Sequence, residues 1–337
     1  MPAMQPVKLG RSGLSVSPLC LGTMTFGAGC DDAEAARIAD AALERGVFFW
    51  DTADMYGLGL SETMTGRLAR GRRGRLVLAT KAYADMGGGP NDRGLSARHL
   101  IEACEGSLRR LGTDWIDLYY LHVPDQQVPI DESLRAMEDL VRSGKVRYVA
   151  SSNYRAWEVC DQWHTARAHG WQPLTAVQPL YNLVNRDIES ELLPLCREKG
   201  LGVVTYSSLA RGVLSGKYNH GARPSGSRLA KANPRFLRAE WREESVRVAE
   251  ALGELAAERG VTTSQLATAW AMANTLVHSV ILGPRTLEQA LDGLGAADIA
   301  WDEQLEQACN ALVPPGAHTG SSGSVDTQYY PVTGRQV

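Results

Sequence analysis

Short apolar runs and longer amphipathic stretches take turns along most of the chain, as strands alternating with helices would. Val47-Phe48-Phe49-Trp50 is typical, because an apolar run without polar alternation reads as a parallel strand covered on both faces. The same reading gives strands over about Leu19–Gly22, Leu76–Thr80, Asp117–Leu121, Val146–Ala150, Thr175–Val177, Gly202–Tyr206 and Val277–Leu282, with another ending at Asp51. Helical periodicity covers about Asp31–Arg45, Ser61–Ala69, Ser96–Leu111, Asp131–Arg142, Trp157–His169, Ile188–Lys199, Glu243–Arg259, Thr263–Ala273 and Leu287–Leu294. Asp31 or Asp32, and Ser96, can cap helix starts; Gly46, Gly112, Gly144 and Gly170 fit helix ends.

Eight strands each followed by helix imply an all-parallel barrel with right-handed crossovers. The expected class is α/β, a (β/α)8 TIM barrel forming a single domain over residues 1–337, with the barrel itself over about 19–296. Val7-Lys8-Leu9 and Leu14-Ser15-Val16, joined by Gly10-Arg11-Ser12-Gly13, predict an N-terminal β-hairpin over about 7–16. Trp301–Leu312 predicts an extra C-terminal helix, and a Gly/Ser-rich tail follows over about 314–337, either mobile or lying over the barrel mouth. Two long stretches, Tyr83–Leu95 and Arg211–Arg242, follow strand ends and would flank the face where such barrels keep their chemistry.

Four residues stand at or just beyond successive strand ends: Asp51, Tyr56, Lys81 and His122. A tyrosine with its ordinary pKa near 10 is a poor acid at neutral pH, and a neighbouring ammonium favours its ionised form. Asp51 paired with Lys81 would keep that lysine charged and oriented, while His122 hydrogen-bonds a substrate oxygen. The set suits protonation of a developing alkoxide, with Tyr56 as general acid. Alkoxides develop when hydride reaches a carbonyl carbon, and hydride requires a cofactor because no side chain supplies it. The chain has no G-x-G-x-x-G after a strand, and Gly57-Leu58-Gly59 alone means little. The cofactor must therefore be held by other loops of the barrel, those after the seventh and eighth strands, Tyr206–Gly212 and Gly283–Arg285, being the expected ones.

Composition narrows the remaining classes. A net charge of -3 gives no footprint for nucleic acid. The arginine cluster from Arg67 to Arg75 reads as a solvated helix end. Cys20, Cys30, Cys104, Cys160, Cys196 and Cys309 form no C-x-x-C pair, so neither a zinc site nor a disulfide framework is expected, and no metal. A start without an apolar leader and the lack of an eighteen-residue apolar run point to a reduced, cytoplasmic protein without membrane association.

The motifs Asp51-Thr52-Ala53-x-x-Tyr56-Gly57, Thr80-Lys81, Leu121-His122-Val123-Pro124-Asp125 and Ser151-Ser152-Asn153 follow one another in order. So do Val177-Gln178-Pro179-Leu180-Tyr181-Asn182, Tyr206-Ser207-Ser208-Leu209 and Gly283-Pro284-Arg285-Thr286. Together, from about Val7 to Leu312, the chain resembles the aldo-keto reductase superfamily, bacterial-type NADPH-dependent members in particular. The resemblance implies NADP(H)-dependent, reversible reduction of an aldehyde or ketone, with NAD(H) as the second choice of cofactor. It makes Tyr56 the acid, Asp51 and Lys81 its tuners and His122 the carbonyl-orienting donor. Ser152, Asn153 and Gln178 would bond the nicotinamide carboxamide and Tyr206 would stack on its ring. Ser207, Leu209, Gly212, Leu214 and Lys217 would approach the pyrophosphate, and Gly22, Thr23, Met24 and Gly283 would complete the cofactor's surroundings. Arg285 and Gln289 would surround the adenosine end, Arg285 partnering a 2′-phosphate through its planar fork.

Two departures qualify the match. Gly293 stands where related sequences often place Asn in Gln289-x-x-x-Asn, which weakens the adenine contact. Met24, Phe26, Tyr83 and Val123, beside Tyr56 and His122, would line a wide, adaptable substrate pocket. A cofactor-binding regulatory subunit on the same barrel, similar to the potassium-channel β subunits, is the alternative reading. A metal-dependent barrel hydrolase would need clustered ligands at strand ends, where His122 stands alone.

Overall fold

The computed structural model describes residues 4–319 except 226, 228, 231–236, 238 and 239. A two-stranded antiparallel hairpin, β1 (Val7–Lys8) and β2 (Ser15–Val16), precedes the barrel. The barrel strands are β3 (Leu19–Gly22), β4 (Phe49–Asp51), β5 (Val77–Ala82), β6 (Ile116–Leu121), β7 (Val146–Ser152), β8 (Ala176–Gln178), β9 (Gly202–Thr205) and β10 (Ser279–Leu282). All eight pair in parallel with their sequence neighbours, and β10 closes on β3. The expected (β/α)8 barrel with its N-terminal hairpin is the fold found.

Around it run α1 (Asp32–Glu44), α2 (Leu60–Ala69), α3 (Ala97–Leu111), α4 (Ile130–Arg142), α5 (Ala156–Ala168) and α6 (Leu192–Lys199). Then come α7 (Glu243–Glu258), α8 (Thr263–Ala273), α9 (Leu287–Gly295) and α10 (Glu303–Leu312). Local chemistry explains most of their ends. The Asp31 side chain accepts from the Glu34 N–H and Ser96 from His99 N–H, while Gly112 closes α3 in the left-handed conformation.

Two helices differ from the sequence expectation. The stretch expected as one helix from Ile188 to Lys199 is a 3-10 turn at Asp187–Glu189 followed by α6. Pro194 accounts for the break. Inside a longer helix it would clash with the carbonyl four residues back; the restart at Leu192 puts it in a first turn, where no N–H is needed. The C-terminal helix starts at Glu303 rather than Trp301, because Asp302 is extended and accepts from Leu305 N–H as the cap.

Strand alternation divides the core in two. Leu9, Val16, Cys20, Phe49, Val77, Ala79, Leu118, Tyr120, Ala150, Ala176 and Val204 pack together inside the barrel, so the hairpin contributes a plug at its N-terminal end. Trp50, Leu78, Tyr119, Val149, Val177 and Val203 belong to the layer between strands and helices. With a period of two, Asp51, Lys81, Ser152 and Gln178 fall on the interior side, each two residues beyond an interior neighbour. That places a polar layer on top of an apolar one at the C-terminal end of the barrel.

The basic cluster is structural: Arg67 pairs with Asp32, Arg72 with Asp40 at 2.6 Å and Arg73 with Asp117 at 2.7 Å. All six cysteines are free and five are buried. Among the described residues no helix is long and apolar enough to cross a membrane. The first tail residues lie along the loop after β8, where Arg186 N–H donates to Ala317 at 2.9 Å and Thr319 N–H to Val184 at 3.1 Å. The rest of the tail, and part of the 211–242 insertion, lie outside the described residues.

Candidate active site

Lys81 is fully buried on β5 and its ammonium has three oxygen neighbours. It donates to the Asp51 carboxylate, to the Thr52 carbonyl at 2.7 Å, and stands 3.5 Å from the Tyr56 hydroxyl. Burial opposes the ammonium, but the Asp51 charge and the hydrogen bonds to Asp51 and Tyr56 outweigh it and hold Lys81 protonated above its ordinary range. For Asp51, burial pushes the carboxyl up while Lys81 and the Gln178 amide pull it down. A pair this deep persists because each charge is matched and hydrogen-bonded. Gln178 Nε2 supplies part of that match, 2.9 Å from the second Asp51 oxygen.

Tyr56 opens a short 3-10 turn after β4 and is half-buried. The ring of His122, just past β6, meets it edge-on at 6.0 Å between centroids and 81° between planes. The four residues chosen from strand ends therefore converge. Behind them a buried hydroxyl network fixes the β3 and β4 ends: Ser61 donates to the Thr23 carbonyl at 2.7 Å and lies 2.9 Å from Thr52 Oγ1. Thr23, a candidate cofactor residue, is thus fully buried and occupied structurally.

The remaining candidates fall into groups. Ser152 ends β7 and donates to the Gln178 carbonyl at 2.8 Å. Asn153 follows in the left-handed conformation, donates to the His122 carbonyl at 2.8 Å and accepts from the Tyr206 hydroxyl at 2.7 Å. The cap of α5 is Arg155, so the Ser152-Asn153 pair serves the barrel mouth instead of the helix. Tyr206, His122 and the β7 end are one hydrogen-bonded unit.

After β9 the backbone is strained. Ser207, Ala210 and Arg211 have positive φ, as do Leu58 after β4 and Asn153 after β7. Such residues cost on the order of 1–3 kcal/mol each and gather at ligand clamps. Gly212 in this loop has φ of 101°, and a Cβ there would run into the Lys217 ammonium. Leu209 accepts from both Gly212 and Leu214 N–H groups, and Leu214 itself is fully buried. Buried Glu240 binds back onto the loop, pairing with Arg211 at 2.9 Å and lying 3.2 Å from Ser207 Oγ.

Arg285 and Gly283 are exposed before α9. Gln289 is engaged locally, its side-chain oxygen accepting from Arg285 N–H at 3.0 Å. Gly293 is buried, and a Cβ there would press Leu282 at 3.2 Å, so this chain fills with Leu282 the space a longer side chain would use. At the mouth, Met24 is exposed and Tyr83 and Val123 are half-buried. Phe26, expected to line the substrate pocket, is fully buried and belongs to the outer core cluster. Buried Gly22 sits on β3 beside Asp51 of β4.

Sequence reading passed over Asp54 and Glu62, both fully buried beneath the Tyr56 turn. Glu62 accepts from Thr80 Oγ1 and Arg110 Nε, each at 2.6 Å. Their polar character in the chain gives no hint of burial; two acids bracketing the tyrosine were the available signal.

A nicotinamide cofactor fits these groups: a planar Tyr206 ring tied to an amide, the Gln178 amide beside Asp51, and a loop whose strained backbone and side-chain-free Gly212 admit close approach. The model of the Aldo/keto reductase family matches residues 18–313. The uncharacterized oxidoreductase YrpG of Bacillus subtilis is 42% identical over 328 residues, covering 94% of this chain and 98% of that protein. A probable voltage-gated potassium channel subunit beta from Oryza sativa subsp. japonica is 39% identical over 302 residues, 88% of this chain and 92% of its own. The versiconal hemiacetal acetate reductase of Aspergillus parasiticus is 31% identical over 350 residues, 94% of this chain and 99% of its own.

Proposed function

The chain belongs to the aldo/keto reductase family, an NAD(P)H-dependent oxidoreductase family, and from that premise we propose that it reduces an aldehyde or ketone to the alcohol with NADPH. The observation that carries the reading is Lys81, buried and charged between Asp51 and the Tyr56 hydroxyl.

When bound, the cofactor supplies hydride to the carbonyl carbon. His122 donates to the carbonyl oxygen and fixes which face of the substrate is presented. Tyr56 delivers a proton to that oxygen as negative charge develops on it. Lys81 stabilises the phenolate left behind, and Asp51 keeps the ammonium in place. Asn153, Ser152 and Gln178 orient the nicotinamide amide, and Tyr206 packs on its ring. Ser207, Leu209, Gly212, Leu214 and Lys217 hold the pyrophosphate. Arg285 takes the 2′-phosphate, free to do so because its side chain is exposed while Gln289 is committed to the α9 start. Met24, Tyr83 and Val123 shape the substrate mouth.

A panel of aldehydes, ketones and sugars followed by NADPH absorbance tests this, with 4-nitrobenzaldehyde as a reporter substrate. Substrate-dependent oxidation of NADPH is expected; its absence across the panel sinks the reading. The relatives named as potassium channel β subunits favour a second reading, a cofactor-binding regulatory subunit. NADPH binding without turnover, together with capture of a membrane partner, would favour that one.

A further inference from the structure

The Asp54 carboxyl lies two residues before Tyr56, fully buried, in a segment tied to the catalytic lysine's own strand. Its backbone N–H donates to the Lys81 carbonyl at 3.2 Å, and its Oδ1 accepts from Met55 N–H at 2.6 Å. The Tyr83 N–H, from the loop after β5, also favours its charged form. Asp54 thus holds β5 through its backbone N–H and the start of the Tyr56 turn through its carboxyl. Its other oxygen, Oδ2, is buried with no hydrogen-bond partner among the described residues.

The surroundings do not support a second full charge. Glu62 of α2 is the acid whose charge acts on Asp54, and the ion pair of Glu62 with Arg110 of α3 uses the guanidinium at 2.6 Å. Tyr119 of β6 faces the same space as a buried phenol, near Cys104 of α3. Lys81 of β5 directs its ammonium to Asp51, Thr52 and Tyr56. Two buried acids therefore share one cation. An orphaned carboxylate oxygen in such a place is costly, whereas a carboxylic acid still accepts from Met55 N–H, though more weakly, and carries no net charge.

We propose that Asp54 is a positioning residue for Tyr56 and that it performs this role as an uncharged carboxylic acid. Burial first, and Glu62 second, raise its carboxyl to about 7, against the weaker pull of Met55 N–H, Arg110 and Tyr83 N–H. As pH passes upward through that value the acid becomes a carboxylate beside Glu62, the Met55–Tyr56 segment shifts, and proton delivery slows. The sign for stability follows. A folded-state value above the ordinary 3.8 means that the full contribution is present below about 3.8 and is lost as pH climbs to about 7.

The inference rests on Tyr56 being the proton donor, so Tyr56→Phe is measured alongside. Asp54→Asn keeps an oxygen acceptor for Met55 N–H and cannot ionise; Asp54→Ala loses the acceptor. Expected at pH 6 is turnover close to wild type for Asp54→Asn and a fall of on the order of tenfold to a hundredfold for Asp54→Ala, with the Kd for NADPH unchanged in both. Between pH 6 and 8 the wild-type decline in kcat centred near 7 is absent from Asp54→Asn, and that variant's advantage in Tm grows over the same interval. A decline near 7 that survives in Asp54→Asn, or Asp54→Asn as slow as Asp54→Ala, overturns the proposal. An active Tyr56→Phe would overturn the underlying reaction scheme instead.

Discussion

Gln178 and Asp51, 127 positions apart in sequence, are joined by a 2.9 Å hydrogen bond from the glutamine amide to the carboxylate oxygen that Lys81 does not take. The bond orients the aspartate from one side while the lysine holds it from the other. Gln178 itself is buried beside Tyr120, so the amide is packed on both sides. In the proposed scheme, cofactor seating and acid tuning share this residue.

Replacing Gln178 with Leu should weaken both functions together. Loss of a hydrogen bond to a charged group is worth about 1.5–3 kcal/mol, or about ten- to a hundredfold. Steady-state kinetics would show it as a lower kcat accompanied by a higher KM for NADPH. A change confined to the KM for NADPH would separate Gln178 from the acid.

Lys81→Met should leave the Asp51 charge buried and unmatched, costing about 3–5 kcal/mol of stability as well as activity. The double variant Lys81→Met with Asp51→Asn should recover much of that stability while remaining inactive. Denaturant unfolding beside activity assays reads both. Equal stability of the single and double variants would mean that the pair does not matter to folding.

Much of this arrangement is readable from the chain because it is local. Asp31, Ser96 and Gly112 announce helix ends through bonds spanning a few residues, and the apolar run ending at Asp51 declares its strand. Strand parity then carries Asp51, Lys81 and Gln178 to one interior layer. What stays hidden is set by contact at a distance. The Gln178 partner, the burial of Asp54 and Glu62, the grip of Glu240 on the β9 loop and the retreat of Phe26 into the core depend on which helices close over the barrel. Pro194 is a local signal of another kind, whose effect on helix phase outweighed the periodicity around it.

Arg285→Ala should raise the KM for NADPH by about tenfold or more, leaving that for NADH nearly unchanged, because a guanidinium–phosphate contact is charge-assisted. Parallel titrations with the two cofactors check it. Equal effects would remove the 2′-phosphate role.

Gly212→Ala tests the strained β9 loop. A methyl there meets the Lys217 ammonium and forces an L residue into a φ near 101°. Cofactor affinity should drop and Tm should fall by a few degrees, about 1 kcal/mol or more of strain. Unaltered NADPH binding, read by fluorescence quenching, would place the pyrophosphate elsewhere.

The most direct measurement is single-turnover reduction by Tyr56→Phe saturated with NADPH. Removing a positioned general acid costs about 10²–10⁴-fold. The account predicts a rate reduced by that factor with the Kd for NADPH nearly unchanged. Turnover at the wild-type rate would contradict it, since the phenol beside Lys81 would then donate no proton.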